Sequence, residues 1–290
     1  MAATSGWSQA GLSTALVAVY AVPYALRART LARRGRPVLA WRRACFAAGL
    51  VLLAFAVCPP MDRWADERLS LHMLEHVLLG DLAPLLIVLG LTGPLLAPVL
   101  RRAGWLRRLG HPVPALALWI AQLFLWHLRV PYQLAVDHDL VHVAEHASFF
   151  VFGANLWLAL LGPLPKPAWF GNGARLAYLL GAWVAGAALA NGFLWASHPL
   201  YPHYAATAAA AGRSALADQA AAGGVMLVEQ STVVFALLGW LLARTLRDAG
   251  RRQELAELAA REGVAVDARR IARAVAAEQD ERLAQRLRGR

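Results

Sequence analysis

The chain has 290 residues, of which 59% are hydrophobic and 16% are charged, and its mean hydropathy is +0.45. Soluble domains carry about 25% charged residues, and runs of roughly 20 apolar residues indicate bilayer spans. The composition therefore excludes an ordinary soluble protein. The formal net charge of +11 does not predict nucleic-acid binding, because the basic residues lie in short loops and a C-terminal tail, a distribution typical of membrane proteins.

The two cysteines, Cys45 and Cys58, fall near opposite ends of one predicted helix. The rise of an α-helix separates such positions by about 20 Å, too far for a disulfide. The chain has no C-x-x-C pair, so the sequence does not predict a thiolate metal shuttle.

Seven apolar segments are predicted to span the membrane, at about residues 11–26, 44–57, 72–96, 113–126, 139–161, 175–196 and 218–243. The third passes through Asp81 and Pro84, and because a proline removes a helical hydrogen bond we expect this span to be kinked or tilted. The predicted fold is an all-α membrane protein, with a seven-transmembrane-helix bundle over residues 1–246. A polar, charged, helix-prone tail follows over residues 247–290.

The loops predict the orientation of this bundle. Those after the first, third and fifth spans carry more Arg and Lys than those after the second, fourth and sixth. Loops rich in Arg and Lys stay in the cytoplasm, so we expect an extracytoplasmic N-terminus and a cytoplasmic tail. The first residues lack the positive region of a signal peptide, so the first span is expected to remain as an anchor.

The pentapeptide H-x-x-E-H occurs twice, and each copy opens an apolar segment. Helical residues four apart share a face, so His72 pairs with His76, and His142 pairs with His146. The predicted orientation places both pairs at the outer face. A polar side chain in a bilayer is costly unless it faces the bundle interior and finds a partner. A shared metal ion would serve all four imidazoles, which suit copper, zinc, iron and nickel.

Acidic residues near these pairs extend the candidate site. Glu75 and Glu145 each precede the second histidine of a pair and could bind the metal directly or accept a hydrogen bond from a ring N–H. Asp218 begins the seventh span in the same outer layer and is a further candidate.

The remaining histidines carry less information. Eight of the nine histidines fall at the predicted outer side, and His111 is the exception. A single histidine at a membrane interface is usually an ordinary amphipathic residue, and this interpretation suits His198 and His203. His138 is expected to lie in water above the site.

Two acids, Asp81 and Glu229, fall near the middle of predicted spans, where an ionisable group is a functional candidate by default. The alternative, weighed equally, is a protonated acid hydrogen-bonded to a nearby polar residue: Gln122, Asn155, Gln230 or Thr232. The methionines that could act as soft ligands for cuprous copper, although packing is their commoner role, are Met61, Met73 and Met226.

Four stretches carry a resemblance to a known family, and they stand in this order: His72-x-x-Glu75-His76 with Ala83-Pro84-Leu85-Leu86 and Leu89-Gly90; Trp126-His127…Pro131 with His142-x-x-Glu145-His146-x-x-x-Phe150; Leu200-Tyr201-Pro202-x-Tyr204; and Asp218-Gln219…Gly223-Gly224-x-Met226. Together, over roughly residues 10–245, they resemble the CtaG-type cytochrome c oxidase assembly factors.

The resemblance implies a seven-span protein of the bacterial plasma membrane that helps to mature haem-copper oxidases and is thought to help supply their copper. The residues that match the family are His72, His76, His127, His142, His146 and Asp218. The resemblance thus implies copper as the bound metal, with zinc or another transition metal as alternatives. The implied partners are an oxidase subunit and a soluble extracytoplasmic copper donor, within a lipid bilayer and without nucleic acid.

Three other functions remain open from the residues alone. A metal- or proton-coupled transporter would use Asp81 and Glu229 as a path below the site. A membrane hydrolase would use H-x-x-E-H as proteases do, with two histidines on zinc and the glutamate as general base. A haem protein fits less well, because axial ligands come singly from facing helices. An assembly factor requires no turnover chemistry, so the sequence favours a protein that is not an enzyme.

Overall fold

The structure is a computed structural model that describes residues 5–276 and 279–288, and within these ranges every regular element is a helix. The α-helices are α1 (Ser5–Arg33), α2 (Ala40–Ala56), α3 (Pro59–Glu67), α4 (Leu69–Val77), α5 (Ala83–Gly90), α6 (Gly93–Arg102), α7 (Pro112–His127), α8 (Arg129–Asp137), α9 (Asp139–Leu160), α10 (Asn172–Trp195), α11 (Pro202–Ala210), α12 (Ala215–Arg261), α13 (Ala268–Ala276) and α14 (Asp280–Arg288). A π-helical turn (Leu78–Leu82) joins α4 to α5, and a 3-10 helix (Gly104–Gly110) precedes α7.

Several of these helices are long and apolar enough to cross a membrane. Within the described residues there are four such segments: Leu69–Gly90, Asp139–Leu160, Asn172–Trp195 and Ala215–Arg261. The count rises to six if two bent pairs, α2 with α3 and the 3-10 helix with α7, are single spans. The chain is therefore a multi-pass membrane protein. The first predicted span lies in α1, whose side chains up to residue 16 are outside the described part, so the count of seven stays a prediction.

At the point where the sequence predicts a kinked or tilted span, the helix contains the π-helical turn. Pro84 has no amide hydrogen for the carbonyl of Gly80, and its ring would clash with that carbonyl in a regular helix. The backbone widens by one residue instead, and the amide of Ala83 donates to the carbonyl of Leu78, five residues back. Trp157 on α9 fixes the turn, because its indole N–H donates to Asp81 Oδ1 at 2.8 Å.

Gly153 lets α9 lie directly against this turn. A Cβ atom at Gly153 would stand 1.8 Å from the carbonyl oxygen of Gly80, so any side chain larger than hydrogen would clash with backbone. Small residues at membrane helix interfaces allow such close approach. The contact brings α4 and α9, which carry the two H-x-x-E-H copies, to the same level of the bundle.

The third span ends earlier than predicted. The prediction extended it to about residue 96, whereas α5 ends at Gly90 and the chain turns through Leu91 into α6. The reason is the Arg42 guanidinium on α2, which donates to the carbonyls of Leu89 at 2.8 Å and Leu91 at 3.1 Å. It satisfies carbonyls that have no partner at a helix end.

The first helix, by contrast, is longer than predicted. It continues through Pro23 to Arg33, although the arginines after residue 26 were expected in a loop. Arg27 donates twice to the carbonyl of Pro94, at 3.3 and 3.1 Å, and Leu31 packs against Val38 and Leu95. Tertiary contacts thus keep the last turns helical.

Three segments predicted as loops are short helices: α3, α8 and α11. Two of them begin at prolines, Pro59 and Pro202, which suit the first turn because the amide hydrogen they lack has no helical partner there. These helices surround the two H-x-x-E-H copies and contact them, as described below.

The C-terminal residues are helical, as the sequence predicts. By internal contacts the helices form two compact units, Met1–Thr232 and Val233–Arg290, and α12 runs through both. Within the second unit the apolar side chains of the helices form a core of their own: Leu255, Ala259, Ile271, Val275, Leu283 and Leu287. The tail is thus a small helical unit rather than a single extended helix. Its cytoplasmic location stays a prediction.

We expect Gly153→Ala to lower the thermal stability of the purified protein. Forcing a methyl group against the Gly80 carbonyl should cost about 1–3 kcal/mol, the range for overpacked sites. The matched control is Gly192→Ala on α10, where an added Cβ meets nothing within 4 Å and alanine raises helix propensity. Thermal unfolding followed by size-exclusion chromatography measures both variants. Equal transition temperatures for wild type and Gly153→Ala would contradict the close contact.

Candidate metal centre

Helix α4 begins at a fixed point because Asp218 caps it from α12. Asp218 Oδ2 accepts from the amide of Leu69 at 2.8 Å, and Oδ1 accepts from the amide and the hydroxyl of Ser70 at 3.4 and 2.6 Å. A carboxylate at the first amides of a helix satisfies unpaired donors and complements the helix dipole. The cap sets the position of His72 and His76 one and two turns further along.

The two H-x-x-E-H copies face each other across α4 and α9. The ring centroids of His72 and His76 are 4.3 Å apart, those of His142 and His146 are 4.0 Å apart, and His72 stands 5.8 Å from His142. His76 lies 5.6 Å from His146. The four imidazoles that the sequence predicted as one group therefore meet in one place.

The glutamates pair reciprocally between the copies. Glu145 Oε1 lies 3.6 Å from His76 Nε2, and Glu75 Oε1 lies 3.8 Å from His146 Nδ1. Adjacent side chains on a helix point in different directions, so neither glutamate can face the histidine that follows it in the sequence. Each glutamate points to a histidine of the other helix instead. His72, Glu75, His76, His142, Glu145 and His146 together are called the histidine–glutamate cluster below.

The cluster is buried but not hydrogen-bonded internally. Both glutamates are 0% exposed, and His72 and His76 are 3% and 4% exposed. Within the described residues, the buried atoms of the cluster without a hydrogen-bond partner are Nε2 of His72, both oxygens of Glu75, both ring nitrogens of His76, Nε2 of His142, both oxygens of Glu145 and Nε2 of His146. Buried polar groups normally have partners, and such exceptions mark functional sites or bound ions and waters.

The spacing of these atoms suits a metal ion. Three sets offer ligand atoms that all lie within 4.8 Å of one another: His72 with His142 and Glu145, Glu75 with His142 and His146, and His76 with Glu145 and His146. Each set combines residues of both helices. Imidazole nitrogen and carboxylate oxygen are ligands of zinc, copper and other transition metals. The chemistry of the donors therefore fits a metal held between α4 and α9.

Tyr204 fixes the tautomer of His72. Its hydroxyl donates to the carbonyl of Ala65 at 3.0 Å, accepts from the hydroxyl of Tyr132 at 3.3 Å and lies 3.1 Å from His72 Nδ1. Burial raises the pKa of both tyrosines well above the usual value, so each keeps its proton. The single hydroxyl hydrogen of Tyr204 is donated to the carbonyl of Ala65, so in the contact with His72 the Nδ1–H must donate to the Tyr204 oxygen. The Nε2 atom of His72 therefore has a lone pair for a metal.

His127 joins the cluster from α7. Its ring centroid lies 6.0 Å from that of His76. Its Nδ1 lies 2.7 Å from the carbonyl of Leu123, and its Nε2 lies 3.3 Å from Met73 Sδ. The hydroxyl of Tyr201 donates to the backbone carbonyl of His127 at 2.8 Å and holds this end of α7 in place.

The other candidate residues lie apart from the cluster. Both oxygens of Asp218 accept hydrogen bonds from the start of α4. Its role as a metal ligand stays a prediction. His138 is the exposed residue before α9. His203 Nε2 lies 3.0 Å from the carbonyl of Asp66, and His198 is exposed. His111 contacts Trp169 before α7.

A cavity of about 60 Å³ adjoins the cluster, with room for a few water molecules. Its lining includes His76 and His127, together with Asp81, Glu229 and Gln230. The two acids singled out in the middle of predicted spans thus share one cavity with two histidines of the site. Gln230 donates to the carbonyl of Ala182.

Sequence reasoning missed the tyrosines that hold the site. Tyr132, Tyr201 and Tyr204 are buried with Met73 and Phe193 in one apolar layer. Two of them stand in the quoted stretch Leu200-Tyr201-Pro202-x-Tyr204, which was the available signal. Nothing in the spacing of Tyr132 indicates its position.

Comparison with known proteins identifies the family. The family model described as "cytochrome c oxidase caa3 assembly factor" (Caa3_CtaG) matches residues 22–248. The chain belongs to this family. The matched range covers the histidine–glutamate cluster, His127 and Asp218.

Two curated relatives resemble the chain over a shorter range. They are "Uncharacterized protein Mb0105" of Mycobacterium bovis and "Uncharacterized protein MT0111" of Mycobacterium tuberculosis. Each is 26% identical over an alignment of 179 residues that covers 56% of this chain and 27% of the relative. The chain thus spans about a quarter of the length of these relatives. No solved structure matches the chain.

Asp218 gives a test that separates capping from metal binding. We expect Asp218→Ala to lower the free energy of unfolding by about 0.5–2 kcal/mol, the cost of a lost helix cap. Asp218→Asn should cost less than Asp218→Ala, because its amide oxygen can still accept from the amide of Leu69 while its NH2 group can only donate to the Ser70 hydroxyl, and it should retain as much metal as the wild type. Thermal unfolding and metal analysis measure the two effects. Loss of metal from stable Asp218→Asn would instead make Asp218 a ligand.

Proposed function

We propose that this family member binds copper at the histidine–glutamate cluster and delivers it to a haem-copper oxidase during assembly. The observation that supports this proposal most strongly is the reciprocal pairing of the two H-x-x-E-H copies, whose buried nitrogens and oxygens have no hydrogen-bond partner within the described part of the chain. The proposal includes seven spans in a bacterial plasma membrane, with the N-terminus outside and the tail in the cytoplasm. An oxidase subunit would receive the copper, and a soluble extracytoplasmic protein would supply it.

The ligand set suits a carrier. Neutral imidazoles bind copper, while His142 and His146 are only half-buried and leave an approach to the ion. Two glutamates within the cluster add negative charge that a cation would offset, whereas a buried carboxylate alone is costly. Release requires no bond-making chemistry, so the proposed role is not enzymatic.

The direct test of this site is the amount of copper that the purified protein binds. We expect the double variant His76→Ala/His146→Ala to lose copper, because it removes one ligand from each helix. The matched control is His111→Ala/His198→Ala, which removes two exposed histidines outside the cluster. Mass spectrometry of the metal content per protein measures both. Equal copper in the wild type and the cluster variant would contradict a shared site.

Binding should weaken as the pH falls. Copper competes with protons for imidazole nitrogens. We therefore expect the copper dissociation constant to rise as the pH falls into the range in which the cluster histidines take up protons, with a steeper slope in the wild type than in His76→Ala/His146→Ala. Competition titrations at several pH values measure the slope. An affinity independent of pH would argue against histidine ligands.

The assembly role is tested in cells. Deletion of the gene should reduce the spectral signal and copper content of the oxidase under copper limitation, and added copper should restore them in part. Complementation with the wild type should restore the oxidase, whereas His76→Ala/His146→Ala should not. Unchanged oxidase under copper limitation would argue against the assembly role.

A second candidate function is transport, which the cavity below the site favours. The cavity runs from His76 and His127 to Asp81 and Glu229, and a chain of acids inside a membrane is typical of ion or proton paths. Copper uptake into vesicles that is lost in Asp81→Asn, with copper binding retained, would support transport over delivery.

A further inference from the structure

The inner end of the site offers a different chemistry from the histidine–glutamate cluster. His127 Nε2 lies 3.3 Å from the sulfur of Met73, and Met73 is 0% exposed. Met73 is the second residue of the first H-x-x-E-H copy, so the helix that carries His72 and His76 also presents this thioether. The rings of Phe149 and Phe193 make edge-to-face contacts with the ring of His127, with centroid distances of 6.0 and 5.7 Å.

The tautomer of His127 follows from its other contact. A carbonyl oxygen cannot donate a hydrogen bond, so at 2.7 Å from the Leu123 carbonyl, His127 Nδ1 must carry the hydrogen. In a neutral ring Nε2 then holds a lone pair, and that lone pair faces the sulfur. A doubly protonated ring would place a charge among buried apolar side chains, which is costly. Two lone pairs therefore meet where no hydrogen bond can form.

The distance suits two ligands of one ion. Metal bonds of about 2.0 Å to nitrogen and 2.3 Å to sulfur, at a tetrahedral angle, place the donor atoms roughly 3.5 Å apart. The observed separation of 3.3 Å is close to this value. His76 can supply a third ligand, because its ring lies 6.0 Å from that of His127 and neither of its nitrogens has a hydrogen-bond partner among the residues that the structure describes.

We propose that Met73, His127 and His76 form a copper(I)-selective position at the inner end of the site. This inference rests on the proposed copper-binding function and names the oxidation state that the site takes. Thioether sulfur is a soft ligand that selects copper(I), whereas imidazole and carboxylate also suit zinc and copper(II). The cluster without Met73 would not distinguish these ions by ligand type.

His76 belongs to both positions. Its Nε2 lies 3.6 Å from Glu145 on the side of the cluster, and its ring faces His127 on the other side. Copper(I) can thus exchange ligands one at a time between the half-buried histidines of α9 and the buried thioether. No change of oxidation state is required, because the ion enters and leaves as copper(I).

The test is the variant Met73→Leu, which keeps the volume of the side chain and removes the sulfur. The matched control is Met61→Leu, since Met61 is a second buried methionine, 1% exposed on α3. Copper(I) affinity is measured by competition with a chromophoric copper(I) chelator, and zinc affinity by competition with a zinc dye. Copper K-edge X-ray absorption of the copper(I)-loaded protein reports whether sulfur is bound.

We expect Met73→Leu to weaken copper(I) binding at least tenfold. Loss of a residue that only orients a metal ligand already lowers the affinity by roughly 10–100-fold, and Met73 is proposed to bind the ion directly. Zinc affinity should stay within about twofold, and the sulfur signal should disappear from the absorption spectrum. Met61→Leu should match the wild type in all three measurements.

Two outcomes separate the failure of this inference from failure of the proposed function. If wild type and Met73→Leu bind copper(I) equally, with only nitrogen and oxygen around the ion, the soft position is wrong while copper binding stands. If the wild type binds no copper in either oxidation state, the proposed function itself fails.

Discussion

The contact between Gly153 and the carbonyl of Gly80 is the constraint on which the site depends. Pro84 leaves that carbonyl without its helical partner, and the backbone widens into a π-helical turn. Gly153 on α9 has no side chain, so this buried carbonyl can lie directly against it. Trp157 secures the turn through Asp81. Because α4 and α9 meet here without a side chain between them, their histidines, one to three turns away along the helices, come within reach of a single ion. π-Helical turns are often found at functional sites.

The sequence predicted the two histidine pairs because i, i+4 spacing is a local property of a helix. It predicted their meeting because both pairs fall at the same end of their spans, where buried imidazoles need a partner. It also predicted a distortion near Pro84, since the missing amide hydrogen is visible in the sequence. The partners of the pairs could not be predicted in this way. The direction in which Glu75 and Glu145 point depends on how two helices separated by about 70 residues are rotated against each other. Tyr204, which sets the tautomer of His72, comes from a segment that composition alone assigns to a loop.

Helix ends were the weakest predictions, and tertiary contacts explain the differences. Arg42 ends the third span at Gly90 by satisfying its last carbonyls, and Arg27 extends α1 by reaching Pro94. The loop arginines predict the orientation of the bundle, and the structure shows that two of these guanidinium groups also cap and anchor helices. Asp218 has a comparable role at the start of α4. The polar residues of the chain thus serve the geometry of the site as well as its chemistry.

The central claim is that both H-x-x-E-H copies hold one metal ion between α4 and α9. An anomalous difference map at the copper absorption edge, from crystals of the copper-loaded protein, tests it most directly. The account predicts a peak within bonding distance of at least one histidine of residues 72–76 and one of residues 142–146. A copper-loaded protein in which no peak is bound to both of these helices would contradict it.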